Sequence, residues 1–141
     1  MKRLILLFLI LLSCSAKDTL PDITVKDLSG KSVNLGSYKN QKLVLYIWSR
    51  TCAGHTKDLK KLGDLVKMYP NYKIVSYAVA MEAGDVVESY RQLGITPNFP
   101  TLIDTAVKFN DYFPITFLPS TYVFDKGGKL IASYAGLPDK L

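Results

Sequence analysis

The stretch "KLVLYIWSRTCAGHTKDL", Lys42 to Leu59, decides the fold. Its first seven residues form an almost continuous apolar run of strand length, the pattern of a central strand covered on both faces. Beyond it, Leu59, Leu62, Leu65, Val66 and Tyr69 recur at helical spacing until Pro70 and Asn71 end the element. A strand therefore feeds a helix, with Cys52 at the approach to the helix N-terminus and His55 three residues further on.

The same unit then recurs. "YKIVSYAVA" (72–80) reads as a second apolar strand, and Val86, Val87, Tyr90 and Leu93 mark a helix ending at Gly94. Strands alternating with helices imply a parallel core with right-handed crossovers. Upstream, "DITVKDLSGKSVNL" alternates Ile23 and Val25, then Val33 and Leu35, around Ser29-Gly30, which predicts a hairpin or two short extended pieces. Downstream, "FPTLID" and "AVKFNDYF" give a short extended piece and a helical turn or two. "STYVFDKGGKLIASYAG" places two β-rich runs around Asp125-Lys126-Gly127-Gly128, a hairpin signal. The expectation is a single α/β domain over residues 22–141, with a central mixed sheet, flanking helices and an N-terminal β-hairpin. There is no internal repeat and no low-complexity segment.

The N-terminus is of another kind. "MKRLILLFLILLSCSA" has a basic start at Lys2 and Arg3 and an unbroken apolar run from Leu4 to Leu12, too short to span a bilayer and suited to a signal peptide. It ends in "LLSC", which resembles the lipobox of bacterial lipoproteins. That resemblance implies a signal peptide over 1–13, cleavage before Cys14, a lipid on its sulfur and a tether over 14–21. The other reading is an ordinary secretory signal that ends near a cysteine. Ser15 follows Cys14 rather than an acidic residue, so nothing there points to retention at an inner membrane. Such a protein would be exported and held by lipid, facing the periplasm or the cell exterior.

Charge excludes one class of partner. Cleavage would remove Lys2 and Arg3 and leave 16 basic against 12 acidic side chains. The lysines are scattered, as in "KDLKKL", without a dense basic block or interleaved aromatics, so a nucleic-acid partner is not expected. With Cys14 lipidated, Cys52 is the only thiol of the mature chain, in an oxidising compartment, and no internal disulfide can form.

Element order, Trp48 four places before Cys52, and a proline before a β-hairpin at Leu118-Pro119-Ser120-Thr121 together resemble a TlpA/ResA-type thioredoxin-like protein of the redoxin (AhpC/TSA) superfamily. "FPTLID" and "LPSTYVFDKGGKL" resemble later segments of that family, and the likeness covers about residues 21 to 136. It implies a thioredoxin-like fold, thiol-disulfide exchange at Cys52, and a cis-proline at 119. The preceding Leu118 would then pair its backbone with the substrate as an added strand. By the same resemblance Asp58 is a buried acid or water-linked proton relay; its other reading is a solvated helix carboxylate. The departures are specific. The family carries Trp-Cys-x-x-Cys, whereas this chain has Cys52-Ala53-Gly54-His55. Lys60 replaces a helix-kinking proline. "LPDKL" stands where the family continues into a final helix, so that helix is expected to be reduced or missing, or the sequence is a truncated product.

One sulfur at a helix N-terminus retains part of the chemistry. Unpaired backbone N–H groups and a nearby cation lower a thiol pKa, and His55, one turn on, is within reach of the sulfur. Cys52 can attack a partner's disulfide or be oxidised to a sulfenic acid, but release from a mixed disulfide then needs an outside thiol. The expected partners are exported protein disulfides or thiols, an external reductant thiol, and the membrane through Cys14. No cofactor and no resident metal are expected. Alternatives stay open: Cys52 as a small apolar filler, His55 as a polar residue without a role, and Trp48 as core or rim packing instead of part of a substrate-binding surface. A redox-inactive module that binds a protein partner or copper is a further alternative, as is a one-cysteine peroxidase suggested by Thr51-Cys52.

Overall fold

The computed structural model describes residues 18–51 and 54–141. The expected signal peptide, Cys14 and most of the expected tether therefore lie outside the described residues, as does Cys52. Seven strands and two α-helices follow in order: β1 (Thr24–Asp27), β2 (Ser32–Asn34), β3 (Lys42–Trp48), α1 (His55–Met68), β4 (Tyr72–Val79), α2 (Ala83–Leu93), β5 (Thr101–Asp104), β6 (Ser120–Phe124) and β7 (Leu130–Ala135). They build one mixed sheet in the order β2-β1-β5-β4-β3-β6-β7.

Strand β3 organises the molecule. It pairs parallel with β4 and antiparallel with β6, and its side chains alternate between two cores as the pleat requires. Leu43, Leu45 and Ile47 enter one core; Val44, Tyr46 and Trp48 enter the other. The crossovers β3–α1–β4 and β4–α2–β5 step the same way across the sheet, so right-handed turns put both helices on one face. Leu59, Leu62 and Leu65 of α1 and Val86 and Tyr90 of α2 accordingly pack in the same core as Trp48. Burying each of those leucines contributes about 1.5–3 kcal/mol.

The opposite face is covered without an α-helix among the described residues. Leu20, Ile23 and Leu35 come from the N-terminal segment, and Phe109 and Phe113 from the connection between β5 and β6. Phe109 is the hub of that cover. Its ring lies 5.2 Å from those of Phe113 and Tyr122 and 5.5 Å from that of Tyr77. The buried Asp104 carboxylate holds the segment in place, accepting the Tyr77 hydroxyl at 2.8 Å and the backbone N–H groups of Lys108 at 2.9 Å and Phe109 at 3.0 Å.

Both expected hairpins form, and they close by one device. Asp27 and Asp125 each turn a carboxylate back onto the N–H groups two and four residues on, and Gly30 and Gly128 supply φ of +86° and +81°. After β7, residues 136–141 form no helix. This tail runs along α1 instead: Leu137 and Leu141 pack on the helical-face core, Asp139 pairs with Lys61, and the Leu141 N–H donates to the Tyr69 hydroxyl at 3.0 Å.

Phe109→Ala should lower the unfolding free energy by about 3–5 kcal/mol, read as a drop in urea midpoint with an unchanged m-value. Tyr112→Ala, at a side chain 53% exposed, should shift the midpoint little. Equal effects would mean that Phe109 is not the hub of that cover.

Candidate functional site

The carboxyl ends of β3, β4 and β5 open on the edge where α1 begins. At the end of β3, Trp48 is fully buried, and its Nε1 donates to Ser76 Oγ of β4 at 2.8 Å. The residue that caps α1 is Gly54, at φ +88°, a left-handed conformation that favours glycine and provides no capping side chain. Helix α1 therefore starts at His55 without the side-chain acceptor that Ser, Thr, Asp or Asn would supply there.

His55 lies flat against Trp48, with ring centroids 5.5 Å apart and planes 13° from parallel. It also lines a cleft of about 430 Å³ between the start of α1 and α2, together with Arg50, Asp85, Glu88 and Ser89. Arg50 closes one side by pairing with Asp85 at 2.6 Å, and Glu88 is held below the usual carboxylate range, chiefly by its hydrogen bond from Arg91. A second cleft of about 400 Å³, beside β1 and the start of α2, shares no residue with this one.

Asp58, one turn into α1, faces the sheet. Its Oδ2 accepts the hydroxyl of the buried Tyr46 at 2.9 Å. Across β3, the register Ile47↔Ser120 leaves Pro119 next in line opposite Trp48. The Leu118–Pro119 peptide is cis, as the resemblance implies. Gly136 ties this corner together: its N–H donates to the Pro119 carbonyl at 2.8 Å, and its own carbonyl accepts the Thr121 hydroxyl at 2.6 Å. A Cβ at Gly136 would lie 3.8 Å from Asp58 Oδ2 at φ +72°. Pro119 is buried and Leu118 half-buried, while neighbouring Phe117 is 65% exposed.

Trp48, His55, Asp58, Leu118 and Pro119 thus gather at one end of β3, while the sulfur's position relative to them lies outside the described residues. Among the described residues no group of three or more His, Cys, Asp and Glu side chains could hold a metal ion, and no helix is long and apolar enough to cross a membrane.

Residues 16–133 match the AhpC/TSA family. The chain belongs to that family. Among curated relatives, the thiol-disulfide oxidoreductase ResA of Bacillus anthracis is 28% identical over 121 residues, which cover 82% of this chain and 67% of that protein. Two solved structures share the thioredoxin-like fold. The thioredoxin domain of a thiol-disulfide oxidoreductase from Bacteroides vulgatus superposes with a TM-score of 0.73 at 18% identity, covering 86% of this chain and 89% of that one. The exposed lipoprotein thioredoxin Etrx1 of Streptococcus pneumoniae gives 0.68 at 22%, covering 84% and 91%. The chain is therefore a thioredoxin-fold protein similar to thiol-disulfide oxidoreductases.

Sequence reasoning did not find Tyr46, Ser76, Tyr90, Arg50 or Gly136 as parts of this end of the molecule. Ser76 left a trace, as the one serine inside the apolar run "KIVSYAVA". Arg50 left none, because its partner Asp85 is 35 residues away.

Tyr46→Phe should destabilise the fold by about 1.5–3 kcal/mol, the range for a hydrogen bond to a charged group, in a urea titration at neutral pH. No loss would show that solvent serves the Asp58 carboxylate as well as the phenol does.

Proposed function

We propose that this chain carries out monothiol thiol-disulfide exchange at Cys52, on the exported side of a membrane to which Cys14 ties it by lipid. The observation that carries the reading is the setting of residues 51–55: in a thioredoxin-like frame, the chain's one remaining thiol immediately precedes a helix whose cap, Gly54, has no side chain. The uncompensated N–H groups of such a helix favour a thiolate.

In the exchange, the Cys52 thiolate attacks one sulfur of a partner's disulfide. A mixed disulfide forms and the partner's second sulfur leaves as a thiolate. Cys52 has no neighbouring thiol to attack this bond, so an external thiol resolves it, regenerating the Cys52 thiolate and forming a disulfide with the partner's sulfur. His55 supplies positive charge at the helix start when protonated. Asp58, whose Oδ2 accepts the Tyr46 hydroxyl, serves as the proton relay that takes up the proton lost when Cys52 ionises. The backbone at Leu118 docks the partner as an added strand, with Phe117 exposed beside it. Trp48 is buried, so it serves the docking surface through His55, which lies over it. The export and lipid steps rest on Leu4–Cys14, and the pneumococcal neighbour, an exposed lipoprotein, supports them.

The deciding experiment is the alkylation rate of Cys52 against pH on the chain carrying Cys14→Ser, which leaves a single thiol. A midpoint well below the free-cysteine value of about 8.5, moving up in His55→Ala, is expected. A midpoint at the free value, or a thiol that does not react while the protein still retains a partner, would favour a redox-inactive binding module.

Cys14→Ser should also move the protein from the membrane fraction to the soluble fraction of the producing cell. Retention in the membrane fraction would point to an anchor other than lipid on Cys14.

A further inference from the structure

A buried line of hydrogen-bonded groups runs through the helical-face core. Trp48 Nε1 donates to Ser76 Oγ at 2.8 Å; Ser76 Oγ lies 2.8 Å from the Tyr90 hydroxyl, and that hydroxyl lies 2.8 Å from Thr101 Oγ1. None of the four residues is more than 5% exposed. The line crosses from β3 through β4 to α2 and back to β5. Burial is the main cause pushing the Tyr90 phenol above its ordinary value, so it stays protonated and able to donate at neutral pH.

Holding α2 against the sheet does not require these groups. Hydrocarbon of the same volume would do so without the desolvation that each hydroxyl incurs. Hydrocarbon would choose between the two flips of the indole ring, whose χ2 torsion has a broad, roughly two-fold preference, by shape alone and would leave its N–H without an acceptor in one of them. The N–H of indole is a donor with no acceptor capacity, so Ser76 selects the flip that points it into β4. Tyr90 adds a second restraint, its ring packing on Trp48 at 6.0 Å, and Phe99 backs Tyr90 at 6.2 Å. The face of this indole is the surface on which His55 lies.

We propose that Ser76, Tyr90 and Thr101 are positioning residues: their hydrogen-bonded line selects one orientation of the Trp48 ring, and that ring sets where the His55 imidazole sits at the start of α1. The effect on Cys52 rests on the monothiol reading; the effect on His55 does not. His55 shares its cleft with Arg50, just beyond β3, and with Asp85 and Glu88 of α2, so a displaced ring would exchange the indole face for a charged, solvated surface.

The molecule carries its own reporters, because Trp48 is its only tryptophan and His55 its only histidine. The test records the His55 ring-proton shifts by NMR and the Cys52 alkylation profile, on the full chain with Cys14→Ser. Lying over the indole should move the imidazole protons upfield. Ser76→Ala should abolish most of that displacement and move the alkylation midpoint by roughly half a pH unit. Tyr90→Phe and Thr101→Val, which leave Ser76 in place, should give smaller changes in the same direction. Val86→Ala removes buried carbon from α2 without touching a hydroxyl; it should lower stability and leave the His55 shifts unchanged.

A folded Ser76→Ala with wild-type His55 shifts would overturn the proposal, as would Val86→Ala moving those shifts equally. If Ser76→Ala does not fold, wild-type shifts in both Tyr90→Phe and Thr101→Val would overturn it as well. Lost His55 displacement with an unmoved Cys52 profile would uphold the positioning role and count against His55 acting on the thiol.

Discussion

The structure depends on one strand having no solvent side. Six of the seven residues of β3 are fully buried, which is stable only if every backbone N–H and C=O is met by a neighbouring strand and both rows of side chains meet a packed layer. That double requirement forces β4 and β6 to flank it and forces both faces of the sheet to be covered. Once the crossovers have put both helices on one face, the other must be closed by what remains of the chain. The result is asymmetric: amphipathic helices on one side, and on the other an aromatic cluster around Phe109, whose segment Asp104 pins by its backbone.

The same constraint makes the end of β3 chemically useful. A parallel strand whose neighbour lies beside it must leave the sheet through a helix, and the helix start carries unpaired N–H groups. The antiparallel neighbour β6 begins where β3 ends, so the residues entering it stand opposite Trp48. Topology alone thus brings His55, Asp58, Leu118 and Pro119 together from segments at least 60 residues apart. Gly54 and Gly136, both at positive φ, are the backbone adjustments this convergence requires, one at the start of α1 and the other where the tail leaves β7.

Features encoded locally could be read from the residues. The unbroken run 42–48, the leucine spacing of α1 and the two Asp-to-Gly hairpins each depend on neighbours within a few positions, and all appear where expected. Features that depend on distant pairing could not. Nothing within "AVKFNDYF" says that Phe109 covers a sheet face, because its contacts Tyr77 and Tyr122 are fixed by the fold. A lone serine in an apolar strand shows that some polar partner exists but not which one. The stack of His55 on Trp48 is seven residues apart in sequence, yet it requires the chain to turn from strand to helix at one particular angle. For residues 137–141 the sequence predicts only a reduced or missing helix or a truncated product; that Leu137 and Leu141 cover part of the helical-face core depends on where α1 lies.

Exchanging the second sulfur of a dithiol site for an imidazole alters the order of events. A dithiol protein stores its oxidising equivalent in an internal bond and meets its two partners in succession. With one thiol the oxidised form is the mixed disulfide itself, so the partner stays attached until an outside thiol arrives, and the lifetime of that complex depends on the second partner's access. In that proposed cycle, a docking edge at Leu118–Pro119 would have two tasks, to recruit the disulfide and to hold its protein while the bond persists. The imidazole at position 55 cannot resolve that bond, but its charge state can change the leaving tendency of the Cys52 sulfur when the external thiol attacks. If the proposed monothiol cycle and the proposed positioning of His55 both hold, the Trp48 ring bears on release as much as on capture, and the buried hydrogen-bond line is where the fold and that cycle meet.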